Sequence, residues 1–266
     1  MPAGKPINNT LKIVDPSGNE VVFHFPPQKI ISLVPSQTEL LFDLGLETRV
    51  CGITKFCVHP KQWRNTKTII GGTKNFWFDV IDEIKPDLII GNKEENYKEG
   101  ILELREKYPV WISDIVSLDD SLQTVKSIGE ITDTSDKAAD IARQIENSFS
   151  LLKKFESQSV LYMIWRNPWM AVASNTFIHT MLSKMGLKNC LAEKSRYPEL
   201  DVAEIKALAP DIIFLSSEPF PFQEKHIEEL QQICPDARIM LVDGEMFSWY
   251  GSRLIQAPAY FNSLNL

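Results

Sequence analysis

Seven short apolar runs, each standing in front of a helical pattern, constrain the fold of this chain more than any other feature. They fall at residues 30–34, 50–54, 88–90, 110–112, 160–164, 212–215 and 239–242. Strand-sized runs that alternate with amphipathic stretches are the pattern of parallel strands joined by helical crossovers. Ser36 and Glu39 have capping-box spacing directly after the first run, with Leu40, Leu41 and Leu44 on the face that follows. Ser117 and Asp120 repeat that signal ahead of Leu118, Leu122, Val125 and Ile128.

Two phrases occur twice and in the same order. Leu44-Gly45-Leu46 is matched by Met185-Gly186-Leu187, and Pro86-Asp87 in front of an apolar run is matched by Pro210-Asp211. Helix-Gly-Leu and Pro-Asp-strand are either general α/β punctuation or the trace of two similar lobes, and the shared order argues for the lobes. Between the halves, residues 135–158 contain no Gly or Pro and set Ala138, Ile141, Ala142, Ile145, Phe149 and Leu152 at helical spacing. One helix of about 35 Å is expected there at about 1.5 Å per residue. The expected fold is α/β, with two three-layer αβα lobes of mainly parallel sheet joined by one long backbone helix. The N-terminal lobe covers 1–134, the helix 135–158 and the C-terminal lobe 159–266. A helical tether resists large domain closure, so modest motion on ligand binding is expected.

A formal charge of -7 and a pI near 5.2 argue against nucleic acid, whose phosphates draw on clustered Lys and Arg. No apolar run approaches the roughly 18 residues that span a bilayer, so no membrane insertion is expected. Residues 1–10 hold no apolar signal core, which places the chain as written in the cytoplasm, or in the periplasm or at the cell surface if a leader has been trimmed. Cys51, Cys57, Cys190 and Cys234 form no CxxC pair, which fits a reduced compartment and argues against a zinc site. Nucleophile-elbow, zincin, phosphate-loop and dinucleotide spacings do not occur. The expectation is a monomeric binding protein with no intrinsic cofactor, not an enzyme.

Ligands of open α/β sheets lie beyond the carboxyl ends of the strands, and the loops there are aromatic. Phe56, Cys57 and His59 follow the second run; Trp165, Arg166 and Trp169 follow the fifth; Glu218 and Phe220 follow the sixth; Glu245, Trp249, Tyr250 and Arg253 follow the seventh. A broad flat ligand needs apolar faces and a few directional polar groups, and these loops offer both. Arg166 and Arg253 suit a clamp on carboxylate, amide or phosphate edges. The aromatics serve either as ligand walls or as packing. Imidazole and thiolate are natural ligands of Co, Fe or Zn, but an i, i+2 pair in extended chain points to opposite sides. His59 is therefore the metal candidate, through a bound chelate, with a loop-capping histidine as the alternative. Cys57 is either a wall residue or a small buried one. Glu218 and Glu245 can make the site electronegative, whereas Glu94 and Glu95 read as charges at a helix start.

Asp15-Pro16-Ser17-Gly18, the stretch 27–39, Gly71-Gly72-Thr73, Lys85-Pro86-Asp87 and the long central helix together resemble the helical-backbone class of periplasmic substrate-binding proteins, over about residues 14–261. That class serves ABC importers of cobalamin, haem and iron-siderophores, and the cobalamin-binding members are the most similar. The resemblance implies a metal-chelate ligand, a corrinoid, haem or ferric siderophore, held flat in the cleft between two lobes for ABC-type uptake or cytoplasmic handover. It places Phe56, His59, Tyr197 and Arg253 at or next to ligand contacts. It also implies one exposed Glu on each lobe that pairs with arginines of a permease. The matching positions here hold Asp79 and Ala203, with Glu204 beside the latter, so docking to an ABC permease is expected to be weakened. A cytoplasmic sensor or adaptor is the alternative function, and a tetrapyrrole- or corrinoid-processing enzyme the third.

Overall fold

Both copies of the Pro-Asp phrase fold alike, and their geometry explains why the chain carries the phrase twice. In the computed structural model, which describes residues 9–266, the helix Phe78–Ile84 ends on a left-handed Lys85 (φ 53°) and the helix Val202–Leu208 on a left-handed Ala209 (φ 41°). Pro86 and Pro210 follow, where no helix can continue. Each Asp then reaches to the start of a neighbouring strand. Asp87 accepts the backbone N–H groups of Gln28 at 2.8 Å and Lys29 at 2.5 Å. Asp211 accepts the N–H and the Oγ–H of Ser159, both at 2.7 Å, and these bonds hold its carboxyl below the usual carboxylate range. The Gly-Leu phrases match as well. Gly45 (φ 81°) and Gly186 (φ 88°) let the N–H of Leu46 reach Leu41 O and that of Leu187 reach Leu182 O, each at 3.0 Å, a closure that glycine adopts without a Cβ penalty.

The chain divides into two units, residues up to Asp114 with Leu122–Arg143, and Ile115–Ser121 with Gln144–Leu266. The first holds a parallel sheet in the order Thr68–Ile69, Val50–Ile53, Ile30–Ser32, Leu88–Asn92, Val110–Ser113. Every residue of Leu88–Asn92 and Val110–Ser113 is buried, as a parallel sheet covered on both faces requires. The strand order reverses between Ile30–Ser32 and Leu88–Asn92, which is the switch point where the following loops diverge. A hairpin of Thr10–Val14 and Glu20–His24 docks on the edge strand Val110–Ser113 through its turn. There the buried Asp15 accepts from Ser17 Oγ and Asn19 N on one oxygen, and from Arg105 at 2.7 Å and Ile112 N at 3.2 Å on the other.

The second unit orders its sheet Glu199–Leu200, Trp169–Ala171, Ser159–Trp165, Ile212–Ser216, Arg238–Val242. The last three strands are parallel, and Lys188–Asn189 also joins Ser159–Trp165 in parallel. Trp169–Ala171 is antiparallel to both of its neighbours. Its core is aromatic, with Tyr162, Phe214, Phe247 and Phe261 fully buried. The switch point lies between Ser159–Trp165 and Ile212–Ser216.

All seven expected strands are present, with ends shifted by a residue or two. Three expectations are corrected. The first crossover helix, Pro35–Asp43, starts at Pro35 with Val34 as its cap and no side-chain capping bond, so Ser36 and Glu39 form no capping box. Proline's fixed φ favours the first helical position and draws the start one residue ahead of Ser36. The box at Ser117 and Asp120 does form, with bonds of 2.9 and 3.1 Å in the two directions. The central helix, expected over 135–158, is Ser135–Ser150. Beyond it Lys153 N–H donates to Asn262 Oδ1 and Phe155 N–H to Met185 O, both at 2.9 Å, and these tertiary bonds replace helical ones. Nor is that helix a separate linker. Residues 135–143 belong to the first unit and 144–150 to the second, and Ile115–Ser121 also falls in the second. Bonds from Thr180 Oγ1 to Val116 O (2.7 Å) and from Gly251 N to Ser121 Oγ (3.2 Å) hold that segment there. The expectation for the N-terminal ten residues falls, up to residue 8, outside the described residues. Among those described, no helix is long and apolar enough to cross a membrane.

Candidate functional site

In the first unit the loops at the carboxyl ends of the strands are tied down by side-chain amides. Asn92 Oδ1 accepts the N–H groups of Glu94 and Glu95, and Asn96 Oδ1 accepts Asn92 N at 2.9 Å. Asn96 Nδ2 donates to Leu33 O at 3.3 Å and Thr73 O at 3.1 Å, joining the two loops at the switch point. Gln37 donates to Gly91 O and to Ser113 Oγ. Gly91 is glycine by close approach, since a Cβ there would lie 2.6 Å from Asn96 Oδ1. Glu94 and Glu95 therefore sit on an Asx turn and not in a first helical turn, which begins at Lys98.

The loop 54–60 holds the three candidates of this unit in different settings. Phe56 is 52% exposed, with the Lys55 ammonium 5.1 Å from its ring centre. His59 is half-buried. Cys57 is 1% exposed, its Sγ 3.0 Å from Thr38 Oγ1 and 3.2 Å from Thr54 Oγ1. Burial pushes its thiol up, so the thiolate that binds metals is disfavoured. Of the two readings open for Cys57, the small buried residue is the one its setting matches.

The loops of the second unit are aromatic and ionic. Trp165, 39% exposed at the end of its strand, meets Phe220 edge-on at 5.6 Å, and Phe220 continues to Phe222 at 4.8 Å and His226 at 5.4 Å. Trp169 is buried and stacked on Phe222 with the planes 6° apart. Arg166 lies 4.2 Å from the Trp169 ring centre and forms a two-pronged ion pair with Glu229. Arg166 and Trp169 thus form an internal strut of this unit. Double pairing satisfies the guanidinium, and Trp169 belongs to the core of its unit.

A second group forms across two loops. Glu218 Oε1 accepts from Ser248 Oγ at 2.7 Å and from Trp249 Nε1 at 2.9 Å. Arg253 lies 5.1 Å from the Trp249 ring centre and pairs with Glu245 at 3.4 Å. Trp249 and Arg253 are only 6% and 8% exposed, and Tyr250 is buried edge-on to Phe177. Burial, with Glu245 and Asp243 nearby, pushes the Glu218 carboxyl up despite those two hydrogen bonds. No group of three or more His, Cys, Asp and Glu able to hold a bare metal ion occurs among the described residues.

The family model for periplasmic binding proteins matches residues 30–234, the span from the first sheet strand to the end of the helix Glu224–Ile233. This chain belongs to the periplasmic binding protein family. It is similar to an uncharacterized ABC transporter substrate-binding lipoprotein, YvrC, of Bacillus subtilis, 25% identical over 92% of this chain and 82% of that one. It is also similar to the vitamin B12-binding protein of Vibrio parahaemolyticus, 21% identical over 72% of this chain and 71% of that one. Among solved structures, the periplasmic haem-binding protein RhuT of Roseiflexus sp. RS-1 shares the fold with a TM-score of 0.77 and 20% identity, over 89% of this chain and 98% of the other.

The remaining candidates of this periplasmic binding protein lie apart from those loops. Tyr197 lies just ahead of the strand Glu199–Leu200, half-buried, with Arg196 5.8 Å from its ring centre. Asp79 is exposed in the first turn of Phe78–Ile84. Glu204 is exposed in the first turn of Val202–Leu208, where it closes a capping box with Asp201 and reaches Lys194 at 3.2 Å. Sequence reading places Asn92, Asn96, Ser248 and Gly244 in the carboxyl-end loops without singling them out. The Asn residues just after a strand were a legible turn signal. Gly244 shows its constraint only in three dimensions, since a Cβ there would lie 2.4 Å from Ser216 Oγ and 2.7 Å from Glu218 Cγ.

Proposed function

We propose that this periplasmic binding protein carries a planar metal chelate, a corrinoid or haem-like macrocycle, to an ABC permease, and that the aromatic loops of its second unit form a wall of the ligand site. The observation that carries this reading is the grouping of Trp165 and Phe220 on one side, and Trp249, Tyr250, Glu218 and Arg253 on the other, on loops that follow adjacent parallel strands. Ring faces supply broad apolar contact and the carboxylates supply orientation. The functions of the relatives, vitamin B12 binding and ABC transport, support the same ligand class. In the first unit, Phe56 and His59 are the proposed ligand-facing side chains, His59 toward the chelated metal. Asp79 and Glu204, each in the first turn of a corresponding helix, are the proposed docking carboxylates.

Titration of the purified protein with cyanocobalamin, dicyanocobinamide and haemin, followed by visible absorbance and calorimetry, tests the reading. Saturable one-to-one binding of one compound is expected, with a spectral shift that His59→Ala removes. Absence of binding by all three would sink the metal-chelate reading and leave the family assignment standing. For delivery, Asp79→Lys combined with Glu204→Lys is expected to abolish uptake in cells while leaving the ligand titration unchanged.

A further inference from the structure

Gly71 and Gly72 stand side by side in the first unit and are glycine for different reasons. Gly71 is left-handed (φ 103°), and a Cβ there would run into Asn75 O, so the hairpin of Gly71–Gly72 and Asn75–Phe76 itself requires it. Gly72 is buried and lies outside the left-handed region, and its Cβ would meet side chains instead: Phe56 Cε2 at 3.1 Å and Cδ2 at 3.8 Å, and Lys55 Cε at 3.4 Å. One edge of the Phe56 ring is therefore laid on the bare Cα of Gly72, with the Lys55 stem beside it and the ammonium 5.1 Å from the ring centre. The backbone beneath the ring is fixed by other groups. Lys55 N–H donates to Gly71 O at 2.8 Å and Cys57 N–H to Thr54 O at 3.0 Å, while the buried Cys57 Sγ sits between Thr38 and Thr54. A methyl group at position 72 is thus accommodated by the exposed ring, which can swing outward, and not by the sealed loop.

We propose that Gly72 is a positioning residue of the ligand site: by withholding a side chain it holds the Phe56 ring against the hairpin, pre-set as a flat apolar contact for the chelate. A ring already held in one orientation loses little freedom when a ligand stacks on it, which is how preorganisation raises affinity. The inference rests on the metal-chelate reading, with Phe56 as one of its ligand-facing side chains, and adds a residue that itself needs no contact with the ligand.

The test titrates dicyanocobinamide and haemin into the parent protein, Gly72→Ala, Phe56→Leu and the double variant Gly72→Ala/Phe56→Leu, with urea unfolding of each. For each compound the parent binds, Gly72→Ala is expected to lose about tenfold in affinity, the scale of one aromatic contact, and Phe56→Leu a similar amount. In the Phe56→Leu background the shorter side chain leaves room for the methyl, so Gly72→Ala is expected to change affinity by less than about twofold. The unfolding midpoint of Gly72→Ala is expected to stay at or above that of the parent, because alanine has fewer unfolded conformations to lose. A purely structural role of Gly72 predicts the opposite on both counts, a lower midpoint and the same loss in either background. Either of those results overturns the positioning role, as does parent-like affinity in Gly72→Ala or in Phe56→Leu, and the metal-chelate reading survives each of them. Binding of neither compound by the parent overturns that reading, and the role of Gly72 with it.

Discussion

The two switch points of this molecule are built on the same strand arrangement and filled with opposite chemistry. In the first unit, Asn92, Asn96 and Gln37 spend their amides on backbone carbonyls and N–H groups, so the loops are closed on themselves. In the second, Trp165 meets Phe220, and separately Trp249 joins Glu218 and Arg253, which pairs with Glu245. Backbone pairing decides the frame, and the loop side chains decide what the frame can hold. The first switch point is therefore held by amide bonds to the backbone, and the second by aromatic and ionic side chains.

Four substitutions would break or sharpen that contrast. Trp249→Ala removes a buried ring, its bond to Glu218 and the platform under Arg253, and is expected to cost about 3–5 kcal/mol in urea unfolding as well as the ligand titration. Asn96→Ala leaves Leu33 O, Thr73 O and Asn92 N without this partner, a loss of about 3 kcal/mol for buried groups, with chelate affinity little changed once the variant is folded. If affinity instead falls as steeply as stability, the first switch point is a ligand wall and the contrast fails. Trp165→Ala, at an exposed ring, is expected to lower corrinoid affinity roughly tenfold while shifting stability by no more than about 0.5 kcal/mol; the reverse pattern would make Trp165 a packing residue.

The smallest effect is one of pH. The Glu218 carboxyl is raised in the folded protein, so as pH falls through that raised value the native state takes up a proton that the unfolded chain does not. Stability from this group rises as pH drops from neutral until the ordinary carboxylate range is reached. Asp82, Glu204 and Asp211 are held low and work in the opposite direction, so the readout is the difference between parent and Glu218→Gln. Parallel pH curves for the two proteins would show that Glu218 titrates as it does in the unfolded chain.

The frame was legible because its signals are local. Strand runs, Gly-Leu helix ends and the Pro-Asp turns each depend on a few consecutive residues, and the duplicated phrases fold to the same bonds in both units. Helix ends were less legible. Ser36 has the composition of a cap but lost the position to Val34, because Pro35 starts the helix, and residues 151–158 have helical composition but are bonded to Asn262 and Met185 far along the chain. Within the candidate site, the aromatic content of the loops was visible from the residues alone. Which rings pack inward was not, because Trp165 ends one strand and Trp169 opens the next, yet one ring is exposed and the other is buried on Phe222.

The sequence by itself determined the α/β class, the strand positions and the internal repeat, since periodicity and turn chemistry are properties of neighbouring residues, and its motifs resemble those of the binding-protein family to which it belongs. Only the tertiary structure decided that Arg166 is committed to Glu229, that Cys57 is sealed beneath Thr38 and Thr54, and that Glu218, Trp249, Arg253 and Glu245 form one connected group. Those pairings join residues tens of positions apart, and whether a charge is compensated or a thiol is buried depends on what the fold brings beside it.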